Sequence, residues 1–159
     1  LLRDPASIER ELAAGSADLV RRLASCACSI RPDVHGPLVD TVLRLPWRES
    51  AQLSVAVLAF MQELVSAVPA FVKPCVDALV VTWLPVEKPT ADASATEAEA
   101  TVLPAVHCTL RGILRACPLG VGNLFAAVKE HLPHRRRDER CHVGFLRQTL
   151  EMLDYCRSL

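Results

Sequence analysis

Apolar residues recur along this chain in steps of three and four. In "ADLVRRLASCACSI" the series is Leu19, Leu23, Cys26 and Ile30. In "SAQLSVAVLAFMQELVSA" it is Leu53, Val57, Phe60 and Leu64, and in "VLPAVHCTLRGILRAC" it is Val106, Leu110, Ile113 and Cys117. A helix turns once in 3.6 residues, so each series marks one face of an amphipathic α-helix. A fourth helix is predicted from about Glu139 to Arg157, carrying Val143, Leu146, Leu150 and Leu153. These four are termed A helices.

Three proline-bounded segments follow the first three A helices: "PDVHGPLVDTVLRLP" (Pro32 to Pro46), "PAFVKPCVDALVVTWLP" (Pro69 to Pro85) and "PLGVGNLFAAVKEHLP" (Pro118 to Pro133). Each has its own stripe: Leu38, Val42 and Leu45; then Val76, Leu79, Val80 and Trp83; then Leu124, Val128 and Leu132. In the first two, a second proline stands five residues after the first (Pro37, Pro74) and an aspartate eight after it (Asp40, Asp77). The third places Asn123 and Ala126 there. Proline cannot continue the preceding helix. Pro37 and Pro74 are expected in the first turn of a B helix, where a missing N–H costs nothing. The unit is helix A, proline turn, helix B, stop.

Corresponding first prolines lie 37 and 49 residues apart. The longer interval is accounted for by an insertion, "VEKPTADASATEAEAT". Its later part holds only Ala, Thr, Ser and acid, so it is expected to be a flexible acidic and Ala-rich loop at about 86–101. A paired-helix unit of about 40 residues, stacked side by side, predicts an all-α fold. The expected architecture is a HEAT-like α-α superhelix occupying 1–159 as a single solenoid fragment. A period of about 34 fits less well. Such a solenoid leaves two long outer faces, which suit other macromolecules better than a catalytic pocket.

Composition sharpens the picture. Hydrophobic residues make up 51% but aromatics only 4%, so Leu, Val and Ala carry the packing and favour helix over sheet. The net charge is zero, which gives the whole chain no bias toward nucleic acid or acidic membranes. No uncharged run approaches the roughly 20 residues a membrane helix needs, and no membrane contact is expected. Seven cysteines, odd in number and irregular in spacing, read as small buried hydrophobes in a reducing intracellular compartment. The chain begins Leu-Leu-Arg, with neither Met nor a signal-peptide pattern, and is expected to be a piece of something longer.

Little here points to catalysis. Adjacent His107 and Cys108 would point about 100° apart on a helix and could not easily share a proton. There is no Gly-rich phosphate loop and no G-x-S-x-G, so no catalytic residue is assigned and no enzyme is expected. His131, His134, Cys141 and His142 cluster loosely, but without a CxxC pair or a finger spacing. No metal and no cofactor is implied.

Two segments could carry regulation or docking. Ser94 and Thr96 each have Glu three residues on (Glu97, Glu99), which suits an acid-directed kinase. The same spacing also reads as a helix-leading capping pattern. "KEHLPHRRRDERCH" has an excess of cations, and Arg135, Arg136, Arg137 and Arg140 form a candidate docking patch for an acidic partner or phosphates. It reads equally as a solvated turn. No aromatic residues interleave with the arginines, so single-strand stacking is unsupported. Trp47 and Trp83 sit near B-helix ends beside prolines, placed to plug the seam between layers.

"LVDTVLRLPW", "LVSAVPAFVKPCVDALVVTWLP", "HCTLRGILRACP" and "EHLPHRRRDERCHVGFLRQTLEMLDYC" resemble, in order, the RNA polymerase I-specific transcription initiation factor family. The resemblance runs from about Leu38 to Tyr155, an N-terminal part of a family member. Residues from Leu1 to Ile30 match only in character, and the inserted loop is shorter and richer in Ala than the family's. The resemblance implies a HEAT-repeat protein of the nucleus and nucleolus that binds RNA polymerase I and bridges it to promoter-bound initiation factors. It further implies control by phosphorylation and self-association of the free factor as a homodimer, without sequence-specific nucleic-acid binding. The family's serine-bearing contact surface does not transfer to Ser50, Ser54 or Ser66. Two alternatives stay open: an unrelated HEAT-repeat scaffold or adaptor, and a nucleic-acid module using the arginine turn.

Overall fold

A computed structural model describes residues 5–26, 29, 31–84, 93–132 and 139–159. Among these run seven α-helices and no strand: α1 (Pro5–Ser25), α2 (Pro32–Leu43), α3 (Ala51–Ala67), α4 (Val72–Val81), α5 (Ala93–Ala116), α6 (Gly120–His131) and α7 (Glu139–Arg157). Single turns of 3-10 helix, Trp47–Glu49 and Pro69–Phe71, lead into α3 and α4. The protein is an all-α, HEAT-like solenoid.

The A helices stack in sequence order, α1 on α3, α3 on α5 and α5 on α7, while α4 packs on α6 in the B row. His35 of α2 meets Phe71 edge to face, with ring centroids 5.8 Å apart, and so joins the first B helix to the second. The helix α3 is the most enclosed. Ser50 caps it, its side chain accepting from the Leu53 amide. Its predicted stripe is fully buried, and so are Ala56, Leu58, Met61 and Val65, because α1 and α5 cover two of its sides. The stripe of α5 (Val106, Leu110, Ile113, Cys117) and that of α4 with Trp83 are likewise buried.

Four expectations need correction. The helix α2 already begins at Pro32, so Pro37 lies inside it and not in its first turn. Pro32 takes the N1 place, and the only bond Pro37 forfeits is to the Asp33 carbonyl at the start of the helix. Pro74 does sit in the first turn of α4.

The second correction concerns the acidic insertion. From Ala93 onward it is helix, the first turns of α5, and only 85–92 lie outside the described residues. Alanine and glutamate are strong helix formers, and Ser or Thr with Glu three residues on is a helix-start pattern. Poverty in core-forming side chains does not prevent a helix that is anchored farther along.

The third is the phase of α1. Its buried face is Ala17, Val20 and Ala24, whereas Leu19 is 59% exposed and Cys26 is exposed. Small side chains let α1 lie close on α3, and a reading weighted toward large apolar residues misses them. Ile30 lies outside the described residues. The fourth is the phase of α7. Phe145, Thr149 and Met152 face the core, while Val143 and Leu150 are 65% and 66% exposed. Both α1 and α7 carry apolar residues on more than one face, and periodicity alone does not say which face meets the neighbouring layer.

Candidate interaction surface

The turn after the first Leu-Pro stop meets the residues that lead into the second. Arg48, in the turn after the first stop, donates through Nη2 to the carbonyls of Thr82 and Leu84, at 3.2 and 3.1 Å, just past the end of α4. A guanidinium there satisfies carbonyls that the helix leaves without partners and complements the negative end of its dipole. Ser54 is buried and donates to the Trp47 carbonyl, which ties α3 to the same turn. Beside it Trp83 packs on His107 of α5 (centroids 5.6 Å) and on Phe145 of α7 (5.9 Å). Trp83 therefore plugs the seam between layers, as its place beside a stop predicted, and Trp47 is buried too.

On the A row, α3, α5 and α7 enclose a groove of about 650 Å³. Gln62 lines it from α3, His107, Arg111 and Arg115 from α5, and Arg147 and Glu151 from α7. Three guanidinium groups against one carboxylate make it basic. Arg147 and Glu151 stand one turn apart on α7, yet neither they nor Arg115 form an ion pair among the described residues. Arg111 lies over the Tyr155 ring, 5.3 Å from its centroid, and the Tyr155 hydroxyl donates to the Arg111 carbonyl at 3.3 Å. That cation–π contact fixes the guanidinium in the groove wall.

His107 is 7% exposed, and its Nε2 has no hydrogen-bond partner among the described residues; neither does Nε of Arg111. Burial holds the His107 imidazole below its ordinary pKa; Glu151 opposes that shift and Arg111 adds to it. Cys108, next in sequence, is exposed, so the two side chains do not face one another. The arginines and glutamines of this groove come from three different A helices, and only the stacking order brings them together.

The residues singled out from sequence are placed differently. Arg135, Arg136 and Arg137 lie outside the described residues, and Arg140 stands in the first turn of α7. Ser94 and Thr96 fall in the first turns of α5. Among the serines of the second repeat, Ser50 is a helix cap, Ser54 is buried, and Ser66 is exposed and donates to the Gln62 carbonyl at 2.9 Å. Among the described residues no three His, Cys, Asp or Glu gather as a metal site, and no helix is long and apolar enough to cross a membrane.

The profile of the family described as RNA polymerase I specific transcription initiation factor RRN3 matches residues 4–159. The chain belongs to this family. A relative from Mus musculus, the RNA polymerase I-specific transcription initiation factor RRN3, is 33% identical over 131 residues, covering 77% of this chain and 20% of the relative. The chain thus spans about a fifth of the length of the curated RRN3 relative it matches. No solved structure matches it. The RRN3 match begins one residue before α1, so it extends over the segment whose sequence resembles the family only in character.

Proposed function

We propose that this chain is a segment of an RNA polymerase I-specific initiation factor, which binds the polymerase and helps recruit it to the ribosomal RNA gene promoter through promoter-bound factors. The observation that carries the reading is the family match over nearly the whole chain. The fold supports it in kind: stacked helices offer long outer faces for protein partners, and the groove lined by α3, α5 and α7 has cations and amides but no paired nucleophile and base. The factor works by protein–protein binding, without catalysis, in the nucleus and nucleolus.

The basic turn Arg135, Arg136, Arg137 and Arg140 is a docking element in this reading, steering an acidic partner surface. Ser94 and Thr96 are its phosphorylation sites. In the first turns of α5 a phosphate would meet the positive end of the helix dipole and would favour the helix start. The free factor pairs as a homodimer. Gentle capture of the tagged full-length protein from its own cells, with mass spectrometry of what accompanies it, tests the reading. Large polymerase I subunits should be present and should be lost after phosphatase or kinase treatment. Abundant bait without them would contradict it.

A further inference from the structure

We propose that the groove between α5 and α7 is a docking slot for an acidic segment of a protein partner. The inference rests on groove chemistry alone and does not depend on which assembly the factor joins. Arg111 and Arg115 are one turn apart on α5, about 6 Å along the helix axis, and Arg147 faces them from α7. An extended peptide repeats its side chains on one face every second residue, about 6.6 Å apart. Two carboxylates in an acid-x-acid segment therefore match the two arginines of α5, and a third acid on the other face of the segment meets Arg147.

Other features of the groove fit a peptide. His107 is buried but for 7%, and its unpartnered Nε2, like Nε of Arg111, belongs to a side chain lining the slot. In the tautomer protonated at Nε2, the imidazole is a donor for a carboxylate oxygen. Arg111 is held by Tyr155, so its fork loses little freedom on binding. The amides of Gln62 and Gln148 provide both donors and acceptors for a peptide backbone. Leu103 and Pro104 form an apolar wall for its side chains.

A nucleic-acid strand fits less well. Glu151 lies among the lining residues and would repel a continuous phosphate backbone, whereas a peptide can place a neutral or basic residue beside it. No Phe, Tyr or Trp is among the residues lining the groove, and the imidazole of His107 is buried, so no exposed ring is offered for a base to stack on.

The test is fluorescence anisotropy of a labelled peptide with three successive Glu between Ser residues, which puts two acids on one face and one on the other, titrated with the full chain, beside the same peptide with Gln for Glu. The acidic peptide should bind, the Gln peptide should not, and added salt should weaken binding. The double reversal R115E/R147E, at two exposed positions, should cut affinity about tenfold or more while leaving the helical circular dichroism unchanged. If that variant fails to fold, R115Q/R147Q serves in its place. R111K keeps the charge but removes the fork, and should weaken binding less than the double reversal. Absence of peptide binding at low salt, or binding indifferent to these substitutions, would overturn the proposal. So would tighter binding of a single-stranded or duplex oligonucleotide that the same reversals abolish. No polymerase enters the assay, so its failure would leave the family-based reading untouched.

Discussion

Trp83 and Phe145 meet with ring centroids 5.9 Å apart and planes inclined by 66°, joining the end of the second B helix to the fourth A helix across the edge of α5. One indole thereby links α4, α5 and α7. Replacing Trp83 by alanine should cost about 3–5 kcal/mol, because a large buried side chain is lost and three elements cannot all close on the space. Trp83→Phe should cost less, since it also removes an indole N–H that has no partner among the described residues. Urea unfolding followed by circular dichroism measures both.

Two glycines of α6 should answer oppositely to the same substitution. A Cβ on Gly120 would stand 2.9 Å from Cγ2 of Val72 and 3.1 Å from Cδ2 of Leu114. Val72 is β-branched and cannot swing away, so Gly120→Ala should destabilise by about 1–3 kcal/mol through overpacking between α4 and α6. Nothing lies within 4 Å of a Cβ on Gly122. Gly122→Ala should therefore stabilise by about 0.5 kcal/mol through helix propensity. Thermal melting of the two variants separates these signs.

Acid should weaken the fold through His107. Its folded pKa is below the ordinary 6.5, chiefly because burial disfavours the imidazolium. Between the folded and unfolded values the unfolded chain binds more protons, so stability rises with pH across that window. The contribution is complete above about pH 6.5 and declines as pH falls through that value toward the folded pKa. Urea midpoints measured from neutral pH downward should decline less steeply in His107→Gln than in the unchanged protein.

The thiols should divide by burial. Cys26 and Cys108 are exposed, whereas Cys75 is buried with its pKa pushed up to about 12 by desolvation. Brief iodoacetamide treatment at mildly alkaline pH, read by peptide mass spectrometry, should label Cys26 and Cys108 and spare Cys75. Prior unfolding in urea should abolish the protection.

How far the sequence revealed this structure follows from what each signal measures. The stripes of α3 and α5 are legible because these helices are enclosed by the stack, and almost any apolar periodicity on them points inward. Most of the described prolines mark turns, since a ring that cannot donate favours places where a helix starts or stops; Pro37, inside α2, and Pro104, inside α5, are the exceptions. The phases of α1 and α7 are less legible because, among the described A helices, each packs chiefly on one, and their apolar residues do not all serve that contact. The basic groove was invisible for a different reason. Arg111, Arg115 and Arg147 occur in unremarkable helical sequence and become a cluster only when α5 lies on α7. The seam role of Trp83 was readable because a large aromatic beside a helix stop has few other places to go.

The role we propose puts this protein in the machinery that starts ribosomal RNA synthesis. The most direct measurement is promoter-dependent run-off transcription from a ribosomal RNA gene template in an extract depleted of the protein. The account predicts that specific transcripts disappear on depletion and return when the purified full-length protein is added, while polymerase I activity on nonspecific DNA persists throughout. Undiminished specific transcription in the depleted extract would contradict it.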